Sequence, residues 1–263
     1  MTTGIYDDPW AYELACSFRD VAAEVDVLLG WCSRHRVPPG PVRTVLELAA
    51  GPAEHAREFA RRGVAATALD LHPAMCAYAA RRAKEEGLGL EVVNDDMTCF
   101  DLGRGFDLVV TMLDSTSHLM DLDAFVAHLD RAAAHLAPGG LYIVEMSHPT
   151  DRLGDEPSTS TGWTVERDGT RATVRWGEPT DRLDPVTQIS DDHVTMIIEA
   201  GEGPSRVIRD VVPYRFWSAT ELEAAVRLSG ALEPVARYGD FGDVPLTSPD
   251  AWRMISVFRA RSR

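Results

Sequence analysis

A chain of 263 residues with 45% hydrophobic and 25% charged content is long enough to bury a sizeable core and too apolar to be disordered throughout. Its 41 acidic against 26 basic side chains leave a formal charge of −15, the wrong sign for a partner with a phosphate backbone. Four cysteines (Cys16, Cys32, Cys76, Cys99) without metal-binding spacing, and no apolar run of spanning length, point to reduced thiols in the cytoplasm and no membrane segment.

The first twenty residues contain Asp7 and Asp8 and no uninterrupted apolar stretch, which is not the pattern of a signal peptide. From residue 9 to 32, Tyr12, Ala15, Cys16, Val21, Val25, Leu28 and Leu29 recur at helical spacing, and Val-Pro-Pro-Gly-Pro at 37–41 closes this region. A strand is expected over 44–48, followed by a small-residue turn and a helix over 55–62. A second strand at 65–69 leads into a helix over 73–86, and a third strand covers 90–93. The nearly continuous apolar run at 106–112 predicts a fourth strand buried on both faces. A helix over 122–136 should stop at Pro138-Gly139-Gly140, before a fifth strand at 141–146. Such alternation predicts an α/β fold with a doubly wound, mostly parallel sheet.

The pattern changes after residue 151. A polar stretch to 160 precedes alternating segments at 163–166, 172–176, 193–199 and 207–214, which predict antiparallel strands with a tight hairpin at Asp168-Gly169. Ser218 and Glu221 form a capping box for a helix ending at Gly230. Strands at 233–238 and 254–260 finish the chain.

Three strand ends carry residues suited to one ligand. The first turn, Val-Leu-Glu-Leu-Ala-Ala-Gly-Pro-Ala-Glu-His-Ala at 45–56, is small enough for a ligand to approach the backbone and the following helix N-terminus. It is a poor dinucleotide turn: Ala53 and Ala56 stand at the second and third glycine positions, and Glu47 would repel a pyrophosphate. Asp70 ends the second strand about 20 residues on, where a carboxylate can accept both hydroxyls of a ribose; taken alone it could equally cap the next helix. Asp95, Asp96 and Met97 follow the third strand, where Asp96 could accept an adenine amine and the Met97 N–H donate to the ring; taken alone these are ordinary loop acids.

Together these features resemble the class I methyltransferases that use S-adenosylmethionine. Glu47 to Ala53 is similar to their E/DxGxGxG turn, with alanine at the first and third glycine positions, and 106–121 is similar to the fourth strand and exit of the glycine and sarcosine N-methyltransferase type. The resemblance implies that Glu47 and the Ala49, Ala50 and Gly51 backbone surround the methionine part. It puts Asp70 on the ribose, Leu71 and Met75 against the adenine with Asp95, Asp96 and Met97 at its edge, and the Met112 carbonyl on the α-amino group. It also implies an N-terminal helical lid over 1–40, a donor-binding core over 41–150, an inserted antiparallel β lid over 151–214, and a helix and hairpin over 215–263 that complete a seven-stranded sheet.

The expected reaction is methyl transfer to a nitrogen or oxygen of a small molecule in specialised metabolism, with nitrogen favoured. No spacing suggests a metal, and none is expected. The acceptor should lie over strands four and five. His118 and His148 are the candidate bases, and either is equally readable as a hydrogen-bonded loop histidine. Asp114 and Ser115 lie between donor and acceptor. Tyr6, with Tyr12 second, resembles the tyrosine that closes over the donor in small-molecule N-methyltransferases. Trp163, Trp176, Tyr214, Arg215, Phe216 and Trp217 are candidates for the acceptor wall, or for the insertion's own core. An NAD-type oxidoreductase on the same architecture and an inactive methyltransferase-fold binding module remain alternatives, and self-association is left open.

Overall fold

The computed structural model describes residues 4–154, 158, 160–201 and 203–261, whose contacts divide into two units. In chain order the helices are α1 (Pro9–Ala15), α2 (Val21–His35), α3 (Glu54–Arg61), α4 (Pro73–Glu85), α5 (Leu122–Ala134), α6 (Thr150–Leu153) and α7 (Ala219–Ser229). The strands are β1 (Thr44–Leu48), β2 (Ala65–Asp70), β3 (Leu90–Asn94), β4 (Phe106–Thr111), β5 (Leu136–Ser147), β6 (Thr161–Arg167), β7 (Thr170–Trp176), β8 (Ile189–Ala200), β9 (Arg206–Arg215), β10 (Leu232–Tyr238) and β11 (Arg253–Ala260).

One unit, residues 21–149 and 217–261, is a seven-stranded sheet in the order β10-β11-β5-β4-β1-β2-β3, parallel except for β11 against its two neighbours. Alternate residues of each inner strand enter opposite cores, because side chains along a strand point to opposite faces. Val45, Leu108, Val110 and Ile143 pack with α2 and α3. Leu46, Leu48, Val109 and Val144 pack with α5 and α7 on the other face. The strand order reverses direction between β1 and β4, the place in an open α/β sheet where the turns diverge and a ligand fits.

The other unit, residues 4–20 with the described part of 150–216, is an antiparallel sheet in the order β6-β7-β8-β9. Ile5, Ala11, Leu14 and Ala15 pack on Ala172, Val174, Met196 and Ile208. Asp168 (φ 53°) and Gly169 (φ 71°) both take positive φ, as a two-residue hairpin of this twist requires.

Three segments depart from the sequence reading. The helical region over 9–32 is two helices in different units, since Val25, Leu28, Trp31 and Cys32 of α2 join the core of the parallel sheet. α5 stops at Ala134, and β5 begins at Leu136 rather than after Pro138-Gly139-Gly140. Leu136 already pairs with Phe106, and the register then shifts before Leu141 meets Leu108. A Cβ on Gly140 would stand 2.6 Å from the Phe106 carbonyl, so glycine serves close strand approach there rather than helix termination. β8 starts four residues before the expected 193 because Ser190 and Asp192 can face the core while satisfying each other: the serine hydroxyl donates to the carboxylate at 2.7 Å, as does the Trp176 indole at 3.2 Å.

Candidate functional site

β1 ends in a turn with left-handed backbone at alternate positions, Ala49 (φ 50°), Gly51 (φ 53°) and Ala53 (φ 59°). These are the three glycine positions of the motif, and each alanine there is held at a cost of roughly 1 kcal/mol or more. Three hydrogen bonds fix the turn: the Ala50 N–H donates to the Leu69 carbonyl (3.0 Å), the Ala53 N–H to the Ala50 carbonyl (2.8 Å), and the Gly51 N–H to Asp70 Oδ2 (2.7 Å). Glu47 is 4% exposed. Its Oε2 accepts the Ala56 N–H at 2.7 Å and its Oε1 lies 3.4 Å from His55 Nδ1, so both oxygens face the start of α3 and support the turn before it.

Asp70 Oδ1 accepts the His72 N–H at 2.8 Å. Burial raises its pKa above the ordinary carboxylate value, against the pull of those two N–H groups. Each carboxylate oxygen thus holds one backbone donor and retains capacity for another. Leu71 beside it is 68% exposed, an apolar surface next to the carboxylate. Met75, expected against the adenine, is instead 1% exposed, because it lies on the core-facing side of α4. After β3 the Asp95 N–H donates to the Asp70 carbonyl (3.1 Å), tying the two strand ends together. Asp96 Oδ1 accepts both the N–H and the hydroxyl of Thr98 at 2.7 Å, which fixes the loop and directs Met97 partly into the core.

The exit of β4 is strained. Leu113 (φ 55°) and Asp114 (φ 57°) are both left-handed, unusual for non-glycine residues and a frequent mark of functional turns. Glu145, fully buried on β5, holds them: its Oε2 accepts the Leu113 N–H at 2.9 Å and its Oε1 pairs with Arg253 Nε at 3.0 Å. Ser147 donates to Asp114 Oδ2 at 2.6 Å. The Met112 carbonyl accepts the hydroxyl and N–H of Ser115, at 2.8 and 3.2 Å. His118 follows on the same short 3₁₀ turn, Ser115–His118; it is exposed, yet the protein packed around it lowers its pKa by desolvation.

The remaining expected residues divide. His148 is buried, and its ring Nε2–H donates to the Leu246 carbonyl at 3.0 Å. Trp217, expected in the acceptor wall, is 3% exposed and lies in the α5/α7 core. Its indole N–H is shared between the carbonyls of Thr116 and Leu119, each at 3.2 Å, so it anchors the segment carrying His118. In the antiparallel unit Tyr6 and Tyr12 are half-buried with ring centroids 5.5 Å apart. Trp163 donates to the Ala15 carbonyl (2.7 Å), Tyr214 lies under the Arg152 guanidinium (4.9 Å), Arg215 is half-buried and Phe216 wholly buried. The Tyr6–Tyr12, Trp163–Ala15 and Arg152–Tyr214 contacts each join residues of that unit. Glu145 and His55 escaped the sequence reading; a lone glutamate inside the apolar run 141–146 was the available signal for the first, and His55 had none, since its partners are distant in sequence. Among the described residues no group of three or more His, Cys, Asp and Glu could hold a metal ion, and no helix is long and apolar enough to cross a membrane.

Residues 45–140 match the family described as a methyltransferase domain. The chain is 33% identical over 130 residues to the dTDP-3-amino-3,6-dideoxy-alpha-D-glucopyranose N,N-dimethyltransferase of Streptomyces fradiae, an alignment that spans 49% of each chain, so about half that relative's length. It is 29% identical over 216 residues, 81% of this chain and 84% of the relative, to the dTDP-3-amino-3,4,6-trideoxy-alpha-D-glucopyranose N,N-dimethyltransferase of Streptomyces venezuelae. The fold is similar to an S-adenosylmethionine-dependent methyltransferase from Clostridium acetobutylicum (TM-score 0.78, 16% identity, 95% and 96% of the two chains). It is also similar to DesVI from Streptomyces venezuelae (TM-score 0.76, 22% identity, 95% of each). The strand-end chemistry fits the donor of these proteins: a desolvated carboxylate with spare acceptor capacity, an exposed leucine beside it, and a turn whose backbone is open to close approach.

Proposed function

We propose that this chain, which carries a class I S-adenosylmethionine-dependent methyltransferase domain, methylates the amine of an amino-deoxy sugar held as its nucleotide, in specialised metabolism. The observation that carries this reading is the 216-residue likeness to the Streptomyces venezuelae sugar dimethyltransferase, which extends well beyond residues 45–140. Two relatives named for amine dimethylation favour nitrogen over oxygen.

S-adenosylmethionine, when bound, supplies a methyl group on a sulfonium, an already activated leaving group. The protein's task is alignment and exclusion of water, an effect that can reach an effective molarity of about 10⁵ M or more. Asp70 would hold the ribose hydroxyls, Leu71 the face of the adenine, and Asp96 with the Met97 N–H its edge. The left-handed turn at 49–53 would admit the methionine part to the backbone. His118, its pKa lowered, is neutral near pH 7 and can take the proton that an amine acceptor sheds.

Calorimetry and turnover test this. S-adenosylhomocysteine should bind at micromolar Kd while NADH does not, and a dTDP-3-amino-dideoxyglucose should gain one and then two methyl groups on nitrogen. Binding of NADH with none of S-adenosylhomocysteine would reinstate the oxidoreductase reading. Methylation confined to hydroxyls of the same sugars would overturn the nitrogen assignment.

A further inference from the structure

Behind the donor turn lies a buried charge cluster that the mechanism above does not use. His55, the second residue of α3, is 5% exposed, and its ring stands between carboxylates from two other elements. Nε2 is 2.8 Å from Glu24 Oε2 on α2, and Nδ1 is 3.4 Å from Glu47 Oε1 on β1. Both glutamates are buried. The second oxygen of Glu47 accepts the N–H of Ala56, the third residue of α3. Glu47 lies two residues before Ala49 and His55 two after Ala53, so the cluster brackets all three left-handed residues of the turn.

A carboxylate accepts hydrogen bonds, and the ring meets one on each side: it hydrogen-bonds Glu24 at 2.8 Å and stands within ion-pair distance of Glu47 at 3.4 Å. The ring thereby stands between two buried carboxylates and gives each a polar neighbour out of reach of water. Without it Glu47 would lose the neighbour that holds it beside the Ala56 N–H. The turn would lose the support that holds two alanines in a conformation they disfavour, and it could relax before any ligand arrives.

We propose that His55 is a donor-positioning residue: clamped between Glu24 and Glu47, it holds Glu47 on the α3 N-terminus and thereby keeps the 49–53 turn in its binding conformation. This rests on the reading of that turn as the S-adenosylmethionine site. The ring itself lies behind the turn and acts on the ligand only through Glu47 and the backbone.

The test uses the full chain and S-adenosylhomocysteine as the probe, with Kd by calorimetry and steady-state kinetics in parallel. His55→Ala should raise Kd about tenfold or more, the scale of one lost charge-assisted hydrogen bond. The KM for S-adenosylmethionine should rise with it, while kcat and the acceptor's KM stay within about threefold. His55→Gln, which keeps one N–H donor, should recover part of the affinity. A folded His55→Ala protein that binds within about twofold of wild type overturns the proposal, even if its Tm has fallen, because the role would then be structural only. Should His55→Ala not fold, Glu24→Gln decides: it keeps an acceptor oxygen but removes one charge of the clamp. Weaker binding at unchanged Tm supports the proposal, and unchanged binding overturns it. Wild-type protein that fails to bind S-adenosylhomocysteine overturns the functional reading and this one together; wild-type binding matched by the variants overturns this one alone.

Discussion

Asp70 does two jobs with one carboxylate. It takes the Gly51 and His72 N–H groups and so fixes the turn, and each oxygen retains acceptor capacity for a ligand. Asp70→Ala should therefore weaken S-adenosylhomocysteine by roughly 30-fold or more, since hydrogen bonds to a charged group contribute about 1.5–3 kcal/mol each. Titration calorimetry would read this directly, and a Kd within threefold of wild type would remove Asp70 from the donor site. At Ala49 the backbone sets the constraint. Ala49→Gly should hold or slightly raise Tm, because glycine enters the left-handed region without a Cβ clash. Ala49→Val should lower stability by about 2 kcal/mol and lower donor affinity as well, since a β-branched residue is a genuine outlier there. His118 stands apart because it ends the short turn beyond the strained β4 exit, where the surrounding protein lowers its pKa. With S-adenosylhomocysteine affinity unchanged, His118→Ala should lower kcat by about 10²-fold, the low end of general-base effects. A kcat unaffected by that change would move the proton acceptor elsewhere.

Between elements, buried polar chains decide where the loops sit. His128 on α5 shares a 2.6 Å hydrogen bond with the Tyr142 hydroxyl on β5, and that hydroxyl lies 3.2 Å from the Thr111 hydroxyl on β4. The other ring nitrogen reaches the Met97 carbonyl at 3.3 Å, so the network ties the proposed adenine loop to the two central strands. Complete burial lowers the His128 pKa to about 4 and raises that of Tyr142. His128 is neutral in the fold well below the pH at which an unfolded chain's histidine, near pH 6.5, takes a proton. The unfolded state therefore gains protons first as pH falls from about 6.5 toward 4, and stability drops across that window by up to about 3 kcal/mol. Urea unfolding at stepped pH should show a flatter dependence for His128→Gln than for wild type; identical slopes would contradict the assignment. Tyr142→Phe, which strips the hydroxyl from both neighbours, should lower stability by about 1–3 kcal/mol.

Over the whole molecule the formal charge of −15 opposes compaction, so added salt should raise Tm by screening self-repulsion. A Tm that stays flat from low to high NaCl would mean that local ion pairs already offset that repulsion. The division between sequence and fold also emerges at this scale. Periodicity alone was enough for the alternation of strand and helix, the parallel core and the antiparallel insertion, because side-chain spacing of two and of 3.6 residues reports how each segment is buried. The strand-end residues of the proposed donor site could be placed together from the sequence for a related reason: a sheet of this topology brings Ala49–Gly51, Asp70 and Asp95–Met97 to one edge whenever their strands pair in register. What lay beyond reach was whatever depends on contacts distant in sequence. Trp217 reads equally as acceptor wall or as core until α5 and α7 close over it, and Met75 as a platform until α4 turns it inward. Glu145 gains its task only when β5 lies beside β4, and His55 only when α2 brings Glu24 against it. Local patterning determines which elements form and what their ends can bind. Which side chains then face a ligand, and which are spent holding the backbone in a strained turn, is decided by the packing of elements far apart along the chain, because burial and charge pairing exist only once they meet.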